Sequence, residues 1–135
     1  MKKGQVGVEY LIIIAFITLA VSTTLIIAQF YIGASKTSIK ENQIENFANK
    51  IIESSESVYY SGEPSKTTIE VFLPDNLKNI TLSGNELIVE YSITSGISKR
   101  AFQSNVPLNG SIKKEQGIRK IIIQAKKDFV IINDL

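Results

Sequence analysis

The stretch Gly4–Ala34 reads GQVGVEYLIIIAFITLAVSTTLIIAQFYIGA and decides how this chain is built. No charged residue lies between Glu9 and Lys36, and apolar residues point in every direction of a helix, leaving no polar stripe. As a helix rising ~1.5 Å per residue, this uncharged run would measure about 39 Å, whereas the hydrocarbon core of a bilayer is about 30 Å thick. A helix that is apolar on all sides belongs in lipid or inside protein. The stretch therefore predicts a helix that spans a membrane or lies inside protein.

The residues around this run do not fit an ordinary secretory signal. Such a signal has an apolar part of roughly 7–15 residues and ends at a cleavage site with small residues. Here the basic head Met1–Gly4 is very short, the apolar run that soon follows is far longer, and a helical pattern continues beyond Ala34. Glu9 also needs an explanation, because a carboxylate at membrane depth costs about 2 kcal/mol or more.

The segment from Lys2 to Leu11 resembles the class III signal peptide of archaeal type IV pilin-like proteins. That peptide has a basic head and a glycine before the cut, followed by Gln-x-Ser-x-Glu and a long apolar run. By this resemblance a prepilin peptidase would cut between Gly4 and Gln5. Gly7 stands where the family usually has Ser, and Ile13 stands where it usually has Leu.

The resemblance also implies a role for Glu9, which becomes the fifth residue of the mature chain. Cleavage would free a charged amine at Gln5. If apolar rods pack side by side with an axial stagger, this amine meets the Glu9 carboxylate of a neighbour, and each charge offsets the desolvation cost of the other. In the alternative, Glu9 marks the water–membrane boundary of an uncleaved anchor. The residues expected to pack between rods are Leu11, Ile12, Ile13, Phe16 and Leu19.

Composition argues against catalysis. The 135 residues include no cysteine and no histidine, so thiolate ligands, the commonest general base and the commonest metal ligand are all missing. The carboxylates show no motif-like spacing, and no glycine-rich phosphate loop occurs. We therefore expect no enzyme activity, no catalytic residue, no cofactor and no metal site. Without Lys2 and Lys3 the acidic and basic side chains would be equal in number, so we expect no nucleic-acid binding.

The hydrophobic period changes twice after the apolar run. Apolar residues first recur at three- and four-residue steps up to Tyr60, which predicts an amphipathic helix. The expected stripe consists of Ile44, Phe47, Ala48, Ile51, Ile52, Ser55, Val58 and Tyr59. Ser61–Ser65 reads as a stop and a turn. From there the period is two, and the predicted strands are Thr67–Leu73, Asn79–Leu82, Leu87–Ile93, Ile97–Phe102, Ile118–Ala125 and Phe129–Ile132.

These patterns predict an α+β fold, in which a long N-terminal helix with a membrane-spanning half and an amphipathic half packs on a small antiparallel β-sheet domain, as in type IV pilins. Ser83–Glu86 is the expected hairpin turn, and Asn105–Gly110, which contains Pro107, is expected to break the strand pattern. The predicted parts are a leader (1–4), an apolar helix (5–35), an amphipathic extension (36–60) and a sheet head domain (61–135).

Two tripeptides fit the Asn-x-Ser/Thr acceptor for N-glycosylation. One begins at Asn79, just after a predicted turn. The other begins at Asn109, in a segment with Pro107 and Gly110 that we expect to be a loop, which makes Asn109 the better candidate.

The leading hypothesis is a structural subunit of an archaeal type IV pilus-like filament. By the resemblance, the precursor would sit in the cell membrane with a cytoplasmic N-terminus, be cut by a prepilin peptidase, and join a helical homo-oligomer on the cell surface through a pilus assembly platform. The filament would serve adhesion or related surface functions. The alternatives are a monomeric membrane-anchored extracellular binding domain and a minor pilin that primes a pilus or secretion apparatus.

Overall fold

The computed structural model describes the backbone of residues 2–93 and 95–135, and the side chains from residue 7 onward except at 34 and 94. It contains one long helix and five strands. These are α1 (Lys2–Tyr60), β1 (Lys66–Leu73), β2 (Leu77–Ile93), β3 (Gly96–Ser111), β4 (Gly117–Ala125) and β5 (Val130–Asp134). The chain divides into two compact units, Met1–Ser38 and Ile39–Leu135. The second unit contains the C-terminal part of α1 together with all five strands.

The amphipathic part of α1 packs on the sheet through the predicted stripe, which is confirmed. Seven of its members, from Ile44 to Val58, are buried, and Tyr59 is partly buried against the same core. The helix ends where predicted, because the backbone N of Ser61 donates to Ser57 O at 3.2 Å and that of Gly62 donates to Tyr59 O at 3.0 Å. The core therefore lies between one helix face and one sheet face.

Ion pairs join the polar flanks of the helix to the sheet domain. Lys40 Nζ lies 2.6 Å from Asp75 Oδ1, and Arg100 Nη1 lies 3.3 Å from Glu45 Oε2. The hydrogen bond from Lys40, helped by the charge of Lys40, holds the pKa of the Asp75 carboxyl below its ordinary value, although burial acts in the opposite direction. These contacts join the helix to the sheet domain at the N-terminal end of its apolar stripe.

The sheet is mixed, which corrects the prediction of an antiparallel sheet. The strand order is β1-β4-β5-β3-β2, and β5 pairs with β3 in parallel from Leu108↔Val130 to Ser111↔Asn133. The other three strand pairs are antiparallel. The C-terminal strand β5 is thus inserted at the centre of the sheet, between β4 and β3. Buried residues of β4 and β5, such as Ile121, Ile123 and Ile132, fill the middle of the core.

Strand β2 reverses direction near Gly84, which supports the predicted hairpin turn. The backbone N of Ser92 donates to Asn76 O at 2.8 Å, and Asn76 Nδ2 donates to Ser92 O at 3.0 Å. These residues are 16 positions apart, and an extended chain of that length would separate them by roughly 50 Å. Gly84 has φ +58°, a conformation that glycine adopts without steric cost.

Strand β3 continues through the segment that we expected to break it, so that prediction is wrong in part. Pairing with β2 ends at Gln103, and pairing resumes at Leu108 with β5 and with Gly84 of β2. Pro107, which has no N–H to donate, falls inside the unpaired interval. Val106 is nonetheless buried in the core, at 1% exposure. The proline therefore interrupts the ladder without ending the strand.

Gly110 is required by the close parallel pairing of β3 with β5. It has φ +125°, and a Cβ at this position would lie 2.0 Å from the carbonyl oxygen of Ile132. Its register partner is Ile132 itself. Any side chain here would push the two central strands apart.

Candidate functional site: the exposed apolar helix

The largest feature that the fold leaves uncovered is the surface of α1 in the first unit. Every side chain described from Gly7 to Gly33 is exposed, and the large apolar ones range from 51% exposure at Ile14 to 76% at Phe30. The five residues predicted to pack between rods are all in this set: Leu11, Ile12, Ile13, Phe16 and Leu19. Covering one such side chain is worth about 1.5–3 kcal/mol. An apolar surface of this extent is the kind that lipid or another protein covers.

Among the described residues, one helix is long and apolar enough to cross a membrane. It is α1, and none of its most apolar window is buried within the chain. Length and composition therefore allow this helix to span a bilayer.

The threonines of this segment use their hydroxyl groups within their own helix. Oγ1 of Thr18, Thr23 and Thr24 donates to the carbonyl four residues earlier, at 2.8, 2.8 and 2.9 Å. These hydroxyls therefore carry little cost in an apolar environment.

Glu9 is the one charged residue in this segment, and its side chain is exposed. No lysine or arginine side chain that the structure describes lies within 4.0 Å of its carboxylate. Gly4 and Gln5 belong to α1, but their side chains lie outside those described. The cut between them and the pairing of Glu9 with a neighbour remain predictions.

Both glycosylation candidates are exposed, and neither lies in a loop. Asn79 is in β2, with Nδ2 at 3.4 Å from Thr81 Oγ1. Asn109 is in β3, where Oδ1 accepts a hydrogen bond from the backbone N of Gly110 at 2.7 Å, so the predicted loop at Asn109 is wrong. Exposure permits modification at either residue, and their use remains a prediction.

A second surface feature, which the sequence did not reveal, is a groove of about 530 Å³ between α1 and strand β1. Gln43, Asn46, Phe47 and Lys50 line it from the helix, and Glu70, Val71, Phe72 and Ile118 line it from the sheet. Phe47 and Val71 are buried, whereas Phe72 is 45% and Ile118 is 73% exposed. The sequence signal that could have indicated this groove is Phe72 and Ile118, since each is apolar at a strand position that alternates with the core-facing residues.

The described residues contain no group of three or more Asp or Glu side chains placed to hold a metal ion. Ion pairs are present instead, such as Lys99 with Glu90 at 3.3 Å, and Arg119 pairs with both Glu115 and Asp134. The exposed helix offers apolar side chains, and the groove offers both apolar and charged ones.

No protein-family model, curated protein or solved structure matches this chain.

Proposed function

We propose that this chain is a structural subunit of an archaeal type IV pilus-like filament. The observation that carries the proposal is the exposed apolar surface of α1 from Gly7 to Gly33, with Glu9 as its one charge. The resemblance of the leader to class III signal peptides is the second support for the proposal. In it, the precursor resides in the membrane with a cytoplasmic N-terminus, and a prepilin peptidase cuts between Gly4 and Gln5.

Assembly replaces the lipid around each apolar helix with the helices of sister subunits. Leu11, Phe16 and Leu19 then pack between rods, and the self-bonded threonines add no unpaired hydroxyl to that interior. The new amine of Gln5 pairs with Glu9 of a neighbour, which offsets the desolvation of both charges. The sheet domains form the outer wall of the filament. The partners in this proposal are the membrane, the prepilin peptidase, the pilus assembly platform and the sister subunits. The filament serves adhesion or a related surface function.

Reading the mature N-terminus by mass spectrometry, on protein from its native host, tests this proposal. Gln5 as the first residue, together with sedimentable filaments that contain the chain, is the expected result. A chain that begins at Met1 or Lys2 and remains as single copies in the membrane would refute it.

The groove beside β1 favours a second candidate, a monomeric membrane-anchored extracellular binding domain. Its open apolar base could hold a small ligand or an extended segment of a partner. This candidate requires no cleavage, so the same reading of the N-terminus separates it from the filament subunit. A minor pilin that primes assembly shares the cleavage, and its low abundance in purified filaments would identify it.

A further inference from the structure

The end of β3 brings the side-chain amide of Asn109 against the backbone nitrogen of the residue that follows it. The backbone N of Gly110 donates a hydrogen bond to Asn109 Oδ1 at 2.7 Å. Because a carbonyl bond is only ~1.2 Å long, the Cγ atom bonded to this oxygen lies within about 4 Å of the same nitrogen. Both residues are exposed, so water reaches the amide.

Gly110 leaves the path between these two groups open. A side chain on the following residue would shield its own backbone nitrogen, and glycine has none. Gly110 also has φ +125°, a conformation that other residues rarely adopt. Asn109 and Gly110 form the one Asn-Gly step in the sequence. An electrophilic carbon and a potential nucleophile are therefore held together at a single place in the chain.

We propose that Asn109 and Gly110 form a site of spontaneous succinimide formation, which converts Asn109 into aspartate and isoaspartate. The Gly110 nitrogen loses its proton to hydroxide and attacks Cγ of Asn109, which closes a ring. The bond from Cγ to Nδ2 breaks, and Nδ2 takes a proton from water and leaves as ammonia. Water then opens the ring. Hydrolysis of the new bond at Cγ gives aspartate, and hydrolysis of the original peptide bond gives isoaspartate. Solvent supplies every other reactant.

The reaction would change the centre of the sheet. Asn109 and Gly110 are the register partners of Ile131 and Ile132 in β5. Isoaspartate carries the main chain through its side-chain carbon, so it adds one methylene group to β3 inside this pairing. The two strands already approach closely, because a Cβ on Gly110 would lie 2.0 Å from the carbonyl oxygen of Ile132. We therefore expect the isoaspartate form to unfold at a lower urea concentration than the amide form.

Succinimide formation and N-glycosylation compete for the same atom. A glycan on Asn109 would be bonded to Nδ2, and the cyclisation expels Nδ2. A chain that has cyclised can no longer receive a glycan at this residue. The proposed reaction thus belongs to chains that carry no glycan at Asn109, and it depends on neither the filament nor the anchor proposal.

The test uses full-length protein made in a host without N-glycosylation and kept in detergent. Folded samples and samples unfolded in urea are incubated in water enriched in heavy oxygen, at neutral and at mildly alkaline pH. Peptide mass spectrometry then measures conversion at each asparagine, and chromatography separates isoaspartate from aspartate. Asn79 is the internal control, because it is also exposed, is followed by the branched Ile80, and directs Nδ2 to Thr81 Oγ1 at 3.4 Å.

In the folded chain we expect conversion at Asn109 to be at least about tenfold faster than at Asn79, because the reacting atoms are already held together. The product should carry one heavy oxygen atom, and the rate should rise with pH, since the Gly110 nitrogen must lose a proton. Ser111→Ala, which removes the glycan acceptor sequence alone, should convert as fast as the wild type. Asn109→Gln should remain an amide, because its cyclisation needs a larger ring.

Two results would overturn the proposal. One is conversion of Asn109 in urea with none in the folded chain, which would show that the strand holds the two groups apart. The other is equal rates at Asn109 and Asn79 in the folded chain, which would show that the Asn-Gly step gives no advantage.

Discussion

Glu56 Oε1 accepts two hydrogen bonds from Asn105, one from the backbone N at 2.9 Å and one from Nδ2 at 3.0 Å. Asn105 lies in the interval of β3 that has no strand partner, so this carboxylate satisfies a backbone donor that the ladder leaves free. The last turns of α1 therefore hold the irregular part of β3 in place.

Replacing Glu56 by Ala should destabilise the sheet domain by about 1–2 kcal/mol, because both bonds to a charged acceptor are lost. The change is measured by urea unfolding of full-length protein in detergent, followed by near-ultraviolet circular dichroism. Glu53→Ala is the matched control, since Glu53 is an exposed glutamate of the same helix. Equal midpoints for the two variants would show that the Asn105 contact contributes no stability.

Gly110→Ala should destabilise the sheet domain by about 2–4 kcal/mol, because its methyl group collides with the carbonyl of Ile132 at the central strand pair. The same unfolding measurement applies. Gly33→Ala is the control, since a Cβ there meets no atom within 4 Å. A Gly110→Ala protein as stable as the wild type would contradict the close β3–β5 approach.

The ion pair of Lys40 with Asp75 should make stability depend on pH. The pKa of Asp75 is lowered in the folded chain, so its contribution is present above the ordinary aspartate pKa and is lost as pH falls through the lowered value. The Asp75→Asn variant should therefore have a lower melting temperature than the wild type at pH ~7, and this difference should disappear at pH ~2. A difference that stays constant over this range would exclude the charged interaction as its cause.

Glu9→Gln should leave cleavage after Gly4 intact and reduce filament yield about tenfold or more, because the amine of Gln5 loses its charged partner in an apolar interior. Sedimentation followed by immunoblotting measures the yield. Glu53→Gln, which removes a charge from the exposed face of the amphipathic helix, should not change it. Normal filament yield from Glu9→Gln would rule out charge pairing between rods.

Glycosylation should be visible as added mass on native protein at Asn79, Asn109 or both, since each side chain is exposed. Peptide mass spectrometry locates the modification, and Asn79→Gln and Asn109→Gln remove it separately. Two unmodified asparagines in protein from the native host would end this prediction.

The α-helical part of the fold could be predicted because its determinants are local. The apolar run, the stripe from Ile44 to Val58 and the turn after Tyr60 act within a few residues of the chain. The exposed rod residues followed from the same pattern, since a helix that is apolar on every side has no polar face to turn to water. The groove beside β1 did not follow, because it is formed by a helix and strands that are distant in sequence.

The sequence by itself determined the long helix, its two kinds of surface, most strand positions and the hairpin at Gly84. Only the tertiary structure decided that β5 enters the centre of the sheet parallel to β3, and that β3 continues past Pro107 to Gly110. The physical reason is that strand periodicity specifies which face of a strand is buried but not which strand lies beside it. The neighbour of each strand and its direction are set by the packing of the whole core, in which the buried residues of β5 lie between those of β4 and β3.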